Sequence, residues 1–270
     1  MLSAVLNGKR RGTGLAGKQL TLGDSSGAED VLTATVFERL AYLPDPLLAH
    51  FFDRFLSLDA PPGPLTDIQF WPSWQLAGSR VEPDVVLHGS QRSLLVEAKR
   101  DDNSLQHYAR QLARELIAGT HNGELQRPVL LTLGGLSAYT EAATLQLGEQ
   151  IDAALGDTGV EYELVCRSWN QLYLALEASI ASAPASTQAG LYRLLEDIAA
   201  TYAWHGLRTH ARRWLAQLTP AGITAERYLS GSGFAAAAPS APVLSSPLTG
   251  LPTHGIRLAT LPSIAWSFRT

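Results

Sequence analysis

The 270-residue chain has 46% apolar residues and only 17% charged ones, enough apolar material for a large core and too much for a disordered chain. A formal charge of −4 argues against a protein that coats nucleic acid nonspecifically, since phosphate affinity comes from lysine and arginine. One cysteine, Cys166, excludes an intrachain disulfide, a Cys-x-x-Cys redox pair and a cysteine-rich zinc site, and fits a reducing cytoplasm.

The first residues hold Lys9, Arg10, Arg11 and Lys18 among glycines. Residues 1–24 are expected to form a flexible basic arm, with charges placed after a very short apolar piece, the reverse of a secretory signal. Gly12 and Gly17, four residues apart and followed by Lys18, imitate a phosphate loop, but Gln19 stands where that loop needs Ser or Thr, and no apolar strand leads in. A first helix is expected over about residues 27–43, capped by Ser25 or Ser26 and stopped by Pro44 and Pro46. Leu32, Val36, Leu40 and Leu43 form its apolar stripe, and Glu29 projects from the middle of that stripe while Glu38 lies opposite. Ser26 with Glu29 also has capping-box spacing. A second helix follows over about residues 45–58, then the breakers Pro61, Pro62 and Pro64. Residues 65–76 alternate as one extended, bent strand interrupted at Pro72, with Trp71 and Trp74 as core aromatics or, alternatively, a stacking surface for a base.

Residues 80–99 carry the chemistry. Pro83 opens a strand with Val85, Val86 and Leu87, residues 89–92 supply a turn, and Leu94, Leu95 and Val96 form the return strand. If His88 faces Ser93, antiparallel register puts Asp84 opposite Glu97 on one face, joined by Lys99 two residues on, while Ala98 points away and offers its carbonyl. Two carboxylates held this close repel unless a cation intervenes. Oxygen ligands from Asp84, Glu97 and Ala98 suit Mg²⁺ or Mn²⁺, and Lys99 beside them suits orienting or deprotonating an attacking water. The competing reading is a solvated hairpin face with a cross-strand ion pair, although the almost wholly apolar strand before Glu97 argues for burial.

Pro83-Asp84, a gap of twelve residues, then Glu97-Ala98-Lys99 resembles the PD-(D/E)XK nuclease superfamily, over roughly residues 27–166 at the level of pattern. The resemblance implies a restriction-endonuclease-like mixed α/β sheet flanked by helices, metal held by Asp84, Glu97 and the Ala98 carbonyl, and Lys99 serving the attacking water. It also implies that a first-helix glutamate, best matched by Glu29, completes the metal site. A glutamine on the helix after the motif commonly touches the site, which points to Gln111 or Gln106, although the full Gln-x-x-x-Tyr spacing is missing.

That helix is expected from Ser104 to about Gly119, with Leu105, Tyr108, Ala109, Leu112 and Leu116 as its stripe and Arg110 and Arg114 facing outward. Arg100, Arg110 and Arg114 are either phosphate contacts or solvated charges. A strand over 128–133, a helix over 139–155, a strand over 160–166 and a helix capped by Ser168 and Gln171 follow. The core is thus placed at 25–182, a helical appendage at 183–219 with helices over 188–206 and 208–218, and an irregular Ala/Ser/Pro/Gly-rich tail at 220–270 ending in the anchor-like Trp266 and Phe268. His205 and His210 lack metal-pair spacing, and all seven histidines are read as structural or surface residues. The function expected is Mg²⁺- or Mn²⁺-dependent hydrolysis of DNA in defence, restriction or repair, by a cytoplasmic protein with a protein partner or a second copy at the C-terminal helices or tail and no membrane. The other reading is a non-cutting protein of the same fold that binds DNA or a partner protein. Retention of Lys99 with both acids argues against it, because a scaffold does not need the lysine.

Overall fold

The computed structural model describes residues 28–211. The expected basic arm, the expected Ser25/Ser26 cap, the part of the expected 208–218 helix beyond Ala211, and the tail with Trp266 and Phe268 lie outside the described residues. The chain divides into units at 1–213 and 214–270, and every described residue belongs to the first.

Helices α1 (Ala28–Leu40) and α2 (Asp45–Leu56) lead into β1 (Leu65–Phe70), the short pair β2 (Trp74–Leu76) and β3 (Ser79–Val81), then β4 (Val85–Gly89) and β5 (Ser93–Ala98). After these come α3 (Ala109–His121), β6 (Val129–Leu133), α4 (Glu141–Leu155), β7 (Glu163–Arg167), α5 (Trp169–Ala181) and α6 (Ala185–His205). The main sheet has the order β1-β4-β5-β6-β7. Its first three strands are antiparallel and its last three parallel. This is the mixed sheet flanked by helices that the sequence pattern leads one to expect.

Strand alternation assigns the two faces. Val85, Leu87, Leu94, Val96, Ala98, Leu131 and Val165 pack against α1, α2, α5 and α6. Val86, Leu95, Leu130 and Cys166 pack against Leu112 and Leu116 of α3 and Leu147 and Ile151 of α4. The β4–β5 turn is seated on the preceding loop, where Ser90 N–H donates to Pro64 O at 2.9 Å and Gln91 N–H to Pro62 O at 3.0 Å. Buried Arg92 donates to Arg127 O at 2.9 Å and pairs with Glu163 at 2.5 Å, tying the turn to β7.

Three sequence expectations change. The single strand over 65–76 is two strands in different sheets, because Trp71 turns the chain at φ 47° and its N–H goes to Asp84 O at 3.0 Å. Both tryptophans are buried, Trp71 against Ala34 and Trp74 in the α3–α4 core. Helix α3 begins at Ala109 and not at Ser104, because Gln106 N–H is bound to Gly135 O at 3.1 Å and His107 is buried. Leu105 and Tyr108 are consequently 71% and 72% exposed, off the core stripe. Helix α6 packs on the core, since its Leu191, Leu195, Ile198 and Tyr202 belong to the same apolar cluster as the sheet. Residues 208–211 are not helical.

Candidate active site

Alternation decides where the acids go. The ladder pairs His88 with Ser93 and Val85 with Val96, so Asp84 and Glu97 face each other one step beyond it. Glu97 shares its face with Leu95, toward α3, while Ala98 joins the opposite core. Asp84 Oδ2 accepts the Ala98 N–H at 2.9 Å, a bond that clips the hairpin end and leaves the other Asp84 oxygen outside it.

Glu97 is only 2% exposed. Its Oε1 accepts from Lys99 Nζ at 2.6 Å and from Gln111 Nε2 at 2.8 Å. The same Gln111 nitrogen donates to Glu115 Oε1 at 2.9 Å, so one amide bridges two buried carboxyls. Lys99 Nζ also reaches Glu29 Oε1 at 3.3 Å, and Glu29 Oε2 accepts the Arg100 N–H at 2.9 Å. Glu29 stands in the first turn of α1, where the helix dipole favours a carboxylate. The structure therefore brings Asp84, Glu97, Lys99, Glu29 and Gln111 into one cluster, with Ala98 entering through its backbone. Gln106 is not part of it.

Burial pushes the Glu97 carboxyl up to about 8, with the charge of Glu115 adding to it and Lys99 opposing. Asp84 is raised well above the usual carboxylate range by burial and then by Glu97. For Lys99, burial acts downward, but Glu97, Glu29 and Asp84 together raise it, so the amine stays an ammonium. Two raised acids facing each other mark a place that favours added positive charge. An oxygen-only donor set of Asp84, Glu97 and the Ala98 carbonyl could hold a hard divalent cation that keeps several waters. Among the described residues no group of three or more His, Cys, Asp or Glu side chains closes round a metal by itself. Waters and substrate oxygens would supply the remaining ligands.

Sequence reasoning missed the supporting shell. Glu115, 2% exposed, is pushed up to about 8 by burial and by Asp84 against its bond from Gln111, and its Oε2 has no hydrogen-bond partner. The signal was available: Glu115 lies three residues after Leu112 on the apolar stripe and takes the Tyr position of the Gln-x-x-x-Tyr pattern. Lys99 is held from behind by Trp169 Nε1, which donates to Lys99 O at 2.7 Å. Buried Asp102 fixes Trp169 by accepting its N–H at 2.8 Å and that of Asn170 at 3.2 Å. Gly134 and Gly135, at φ 70° and 67°, let the β6 loop press on this lysine, since a Cβ at Gly135 would stand 2.7 Å from Lys99 Cβ. His107, lowered to about 4 chiefly by burial, fills the space beside it as a neutral ring. Arg110 and Arg114 lie on the exposed face of α3, and Arg114 donates to Ser79 Oγ at 2.7 Å.

No known family profile matches the chain. It is 39% identical over 221 residues to the uncharacterized protein PM0110 of Pasteurella multocida (strain Pm70), a match covering 81% of this chain and 85% of that protein. The chain belongs to the PM0110 family. Among solved structures, the small subunit of the heterodimeric restriction endonuclease R.BspD6I is 14% identical at a TM-score of 0.28, covering 66% of this chain and 99% of that one. Pyrococcus furiosus SfsA in complex with Ca²⁺ is 15% identical at a TM-score of 0.21, covering 37% of this chain and 46% of that one. Superpositions this weak carry no argument about function, and the reading of this PM0110 relative rests on its own residues. No helix among the described residues is long and apolar enough to cross a membrane.

Proposed function

We propose that the chain is a metal-dependent nuclease that hydrolyses DNA phosphodiester bonds in a defence, restriction or repair setting. The observation that carries the reading is the placing of Lys99 Nζ, 2.6 Å from Glu97 Oε1, beside two carboxylates that face each other at the end of a hairpin. Asp84, Glu97 and the Ala98 carbonyl would hold Mg²⁺ or Mn²⁺, with Glu29 at the edge of the set. When bound, the cation supplies Lewis acidity toward the phosphodiester.

The chain's own groups supply the rest. Lys99, kept charged by three acids, orients an attacking water and offsets the charge that develops on the phosphate oxygens. Its ammonium state makes it an electrostatic group in this reading and not the base. Gln111 fixes the Glu97 carboxylate, and Glu29 fixes both Lys99 and the Arg100 backbone. Arg100, Arg110 and Arg114 would steady flanking phosphates. One observation favours the alternative of a non-cutting protein that binds DNA or a partner: the described side chains do not preform a three-ligand metal cage.

The test is cleavage of plasmid, linear duplex and single-stranded DNA in EDTA, Mg²⁺ or Mn²⁺, with Asp84→Ala and Lys99→Ala run alongside. Metal-dependent cutting by the wild type, abolished in both folded variants, is the expected result. A folded Lys99→Ala protein that cuts at the wild-type rate removes the lysine from the mechanism. If nothing is cut and calorimetry finds no metal bound, the non-cutting reading takes its place.

A further inference from the structure

The loop that joins Lys99 to α3 is pinned on its inner side and apolar on its outer side. Asp101 O accepts the Gly135 N–H at 2.6 Å, Gln106 N–H donates to Gly135 O at 3.1 Å, and the buried His107 ring donates through Nε2 to Gly134 O at 3.0 Å. Buried Asp102 is tied to the start of α5. Leu105 and Tyr108 are the apolar residues that this fixed backbone turns into water. Single apolar side chains on a surface are ordinary. Here, however, two of the five large ones exposed among the described residues stand on one short loop whose neighbours are held in place. Tyr108 is also the N-cap of α3, where Ser, Thr, Asp or Asn would bond a free helix N–H, and its side chain makes no such bond. Neither packing nor capping accounts for the pair.

Their place in the fold narrows the ligand. His107, between them in sequence, lies against Lys99. Tyr108 O accepts the N–H of Gln111 at 2.9 Å, and the amide of that glutamine holds Glu97 at 2.8 Å. The first turn of α3 has no acid and carries exposed Arg110, which suits a polyanion. A protein partner needs about 800 Å² of surface with an apolar centre, but the exposed residues around the pair, Asp101, Asn103, Arg110 and Gln111, are polar. One base face needs only one ring. The rings that the sequence offered for stacking, Trp71 and Trp74, are buried, whereas Tyr108 is open. In an intact duplex the base faces already cover each other and only edges and phosphates are presented, so Leu105 and Tyr108 gain cover only where a base step is open.

We propose that Leu105 and Tyr108 form a stacking wedge for a nucleic-acid strand: Tyr108 covers the face of a base unstacked beside the bond to be broken, and Leu105 fills the opened step. The inference rests on the nuclease reading of the adjacent cluster and names its substrate class, single-stranded or locally opened DNA.

Binding is measured on the full chain by fluorescence anisotropy in EDTA, so that no cleavage is involved. The probes are a short single-stranded DNA, its blunt duplex, and the same strand made abasic. Wild type is expected to bind the normal strand about tenfold tighter than either other probe, in line with one stacked base. Tyr108→Ala should weaken the normal strand about tenfold and leave the abasic strand unchanged. Tyr108→Trp, which keeps a ring, should bind the normal strand at least as tightly as wild type, and Leu105→Ala should weaken it severalfold. Both positions are exposed, so these variants keep the fold. A Tyr108→Ala protein that binds like wild type, one that loses equally on normal and abasic strands, or a Tyr108→Trp protein as weak as Tyr108→Ala overturns the proposal. So does a wild-type chain that binds none of the probes, which would leave the loop as a contact for a protein. A chain that binds as described and never cuts refutes the nuclease reading alone; one that cuts while Tyr108→Ala binds and cuts like wild type refutes the wedge alone.

Discussion

Glu115→Gln offers a direct measure of how the buried acids load the fold. The Glu115 carboxyl is pushed from an ordinary 4.5 up to about 8, mainly by burial. Between those values the native state binds more protons than the unfolded chain, so stability is fully present below about 4.5, falls as pH rises, and has lost this contribution above about 8. Each pH unit is worth about 1.4 kcal/mol for one such group, which caps the loss between pH 5 and 8 at about 4 kcal/mol. Glutamine keeps the oxygen that accepts from Gln111 and carries no charge at any pH. It also removes the second-largest influence raising Glu97. Urea unfolding in EDTA, followed by tryptophan fluorescence at pH 5, 6, 7 and 8, should give stabilities within about 1 kcal/mol of each other at pH 5. At pH 8 the variant should be the more stable by about 2–4 kcal/mol. Parallel pH curves for the two proteins would show Glu115 ionised in the native state and refute the reasoning.

Three further substitutions probe the shell around Lys99. Gly135→Ala places a Cβ 2.7 Å from Lys99 Cβ at φ 67°, and should cost about 2–3 kcal/mol in urea unfolding and displace the lysine; unchanged stability would mean the β6 loop shifts freely. Trp169→Phe deletes the N–H that the Lys99 carbonyl accepts at 2.7 Å together with part of a fully buried ring, and should cost about 2–4 kcal/mol and lower kcat with KM little changed. A parallel change in both constants would assign Trp169 to binding instead. Glu29→Gln keeps the acceptor for the Arg100 N–H but removes one charge from Lys99, and should move the Mg²⁺ titration of cleavage to severalfold higher concentration. Coincident titrations would leave Glu29 a structural role.

The hairpin was legible because its instructions are local. Turn chemistry fixes His88 against Ser93, and period-two alternation then fixes which side Asp84 and Glu97 occupy, with no reference to distant residues. Glu29 was legible for a similar reason, as an acid in the middle of an apolar stripe. The start of α3 was not. Ser104 is a good cap by local chemistry, yet Gln106 N–H is claimed by Gly135 O and His107 is buried, both effects of a loop about thirty residues away in sequence. The extra hairpin β2–β3 was hidden because Trp71 adopts a positive φ, which nothing in a tryptophan announces. Trp169, Asp102 and the two glycines support Lys99 through contacts between elements that only the sheet order brings together.

Three acids with raised protonation ranges, Asp84, Glu97 and Glu115, stand within one hairpin end and one helical turn, a concentration that works against folding at neutral pH. The fold exposes neither Glu97 nor Glu115, and Asp84 only in part. Instead it surrounds them with β5, buried along its whole length, and with apolar layers on both faces of the sheet. A single ammonium, anchored through its own backbone to Leu133 and Trp169, is the one cation placed at the centre by the described side chains. One positive charge against Glu29, Glu97 and Asp84 leaves the cluster short of cations, and further positive charge from outside the chain is what would relieve it. Mg²⁺ added to the metal-free protein should therefore flatten the fall of stability with pH as well as raise its level, by about 2.7 kcal/mol at a concentration a hundredfold above Kd. Calorimetric or urea stabilities that rise equally at pH 5 and pH 8 would mean that the ion binds elsewhere, because only binding at the raised acids competes with protons.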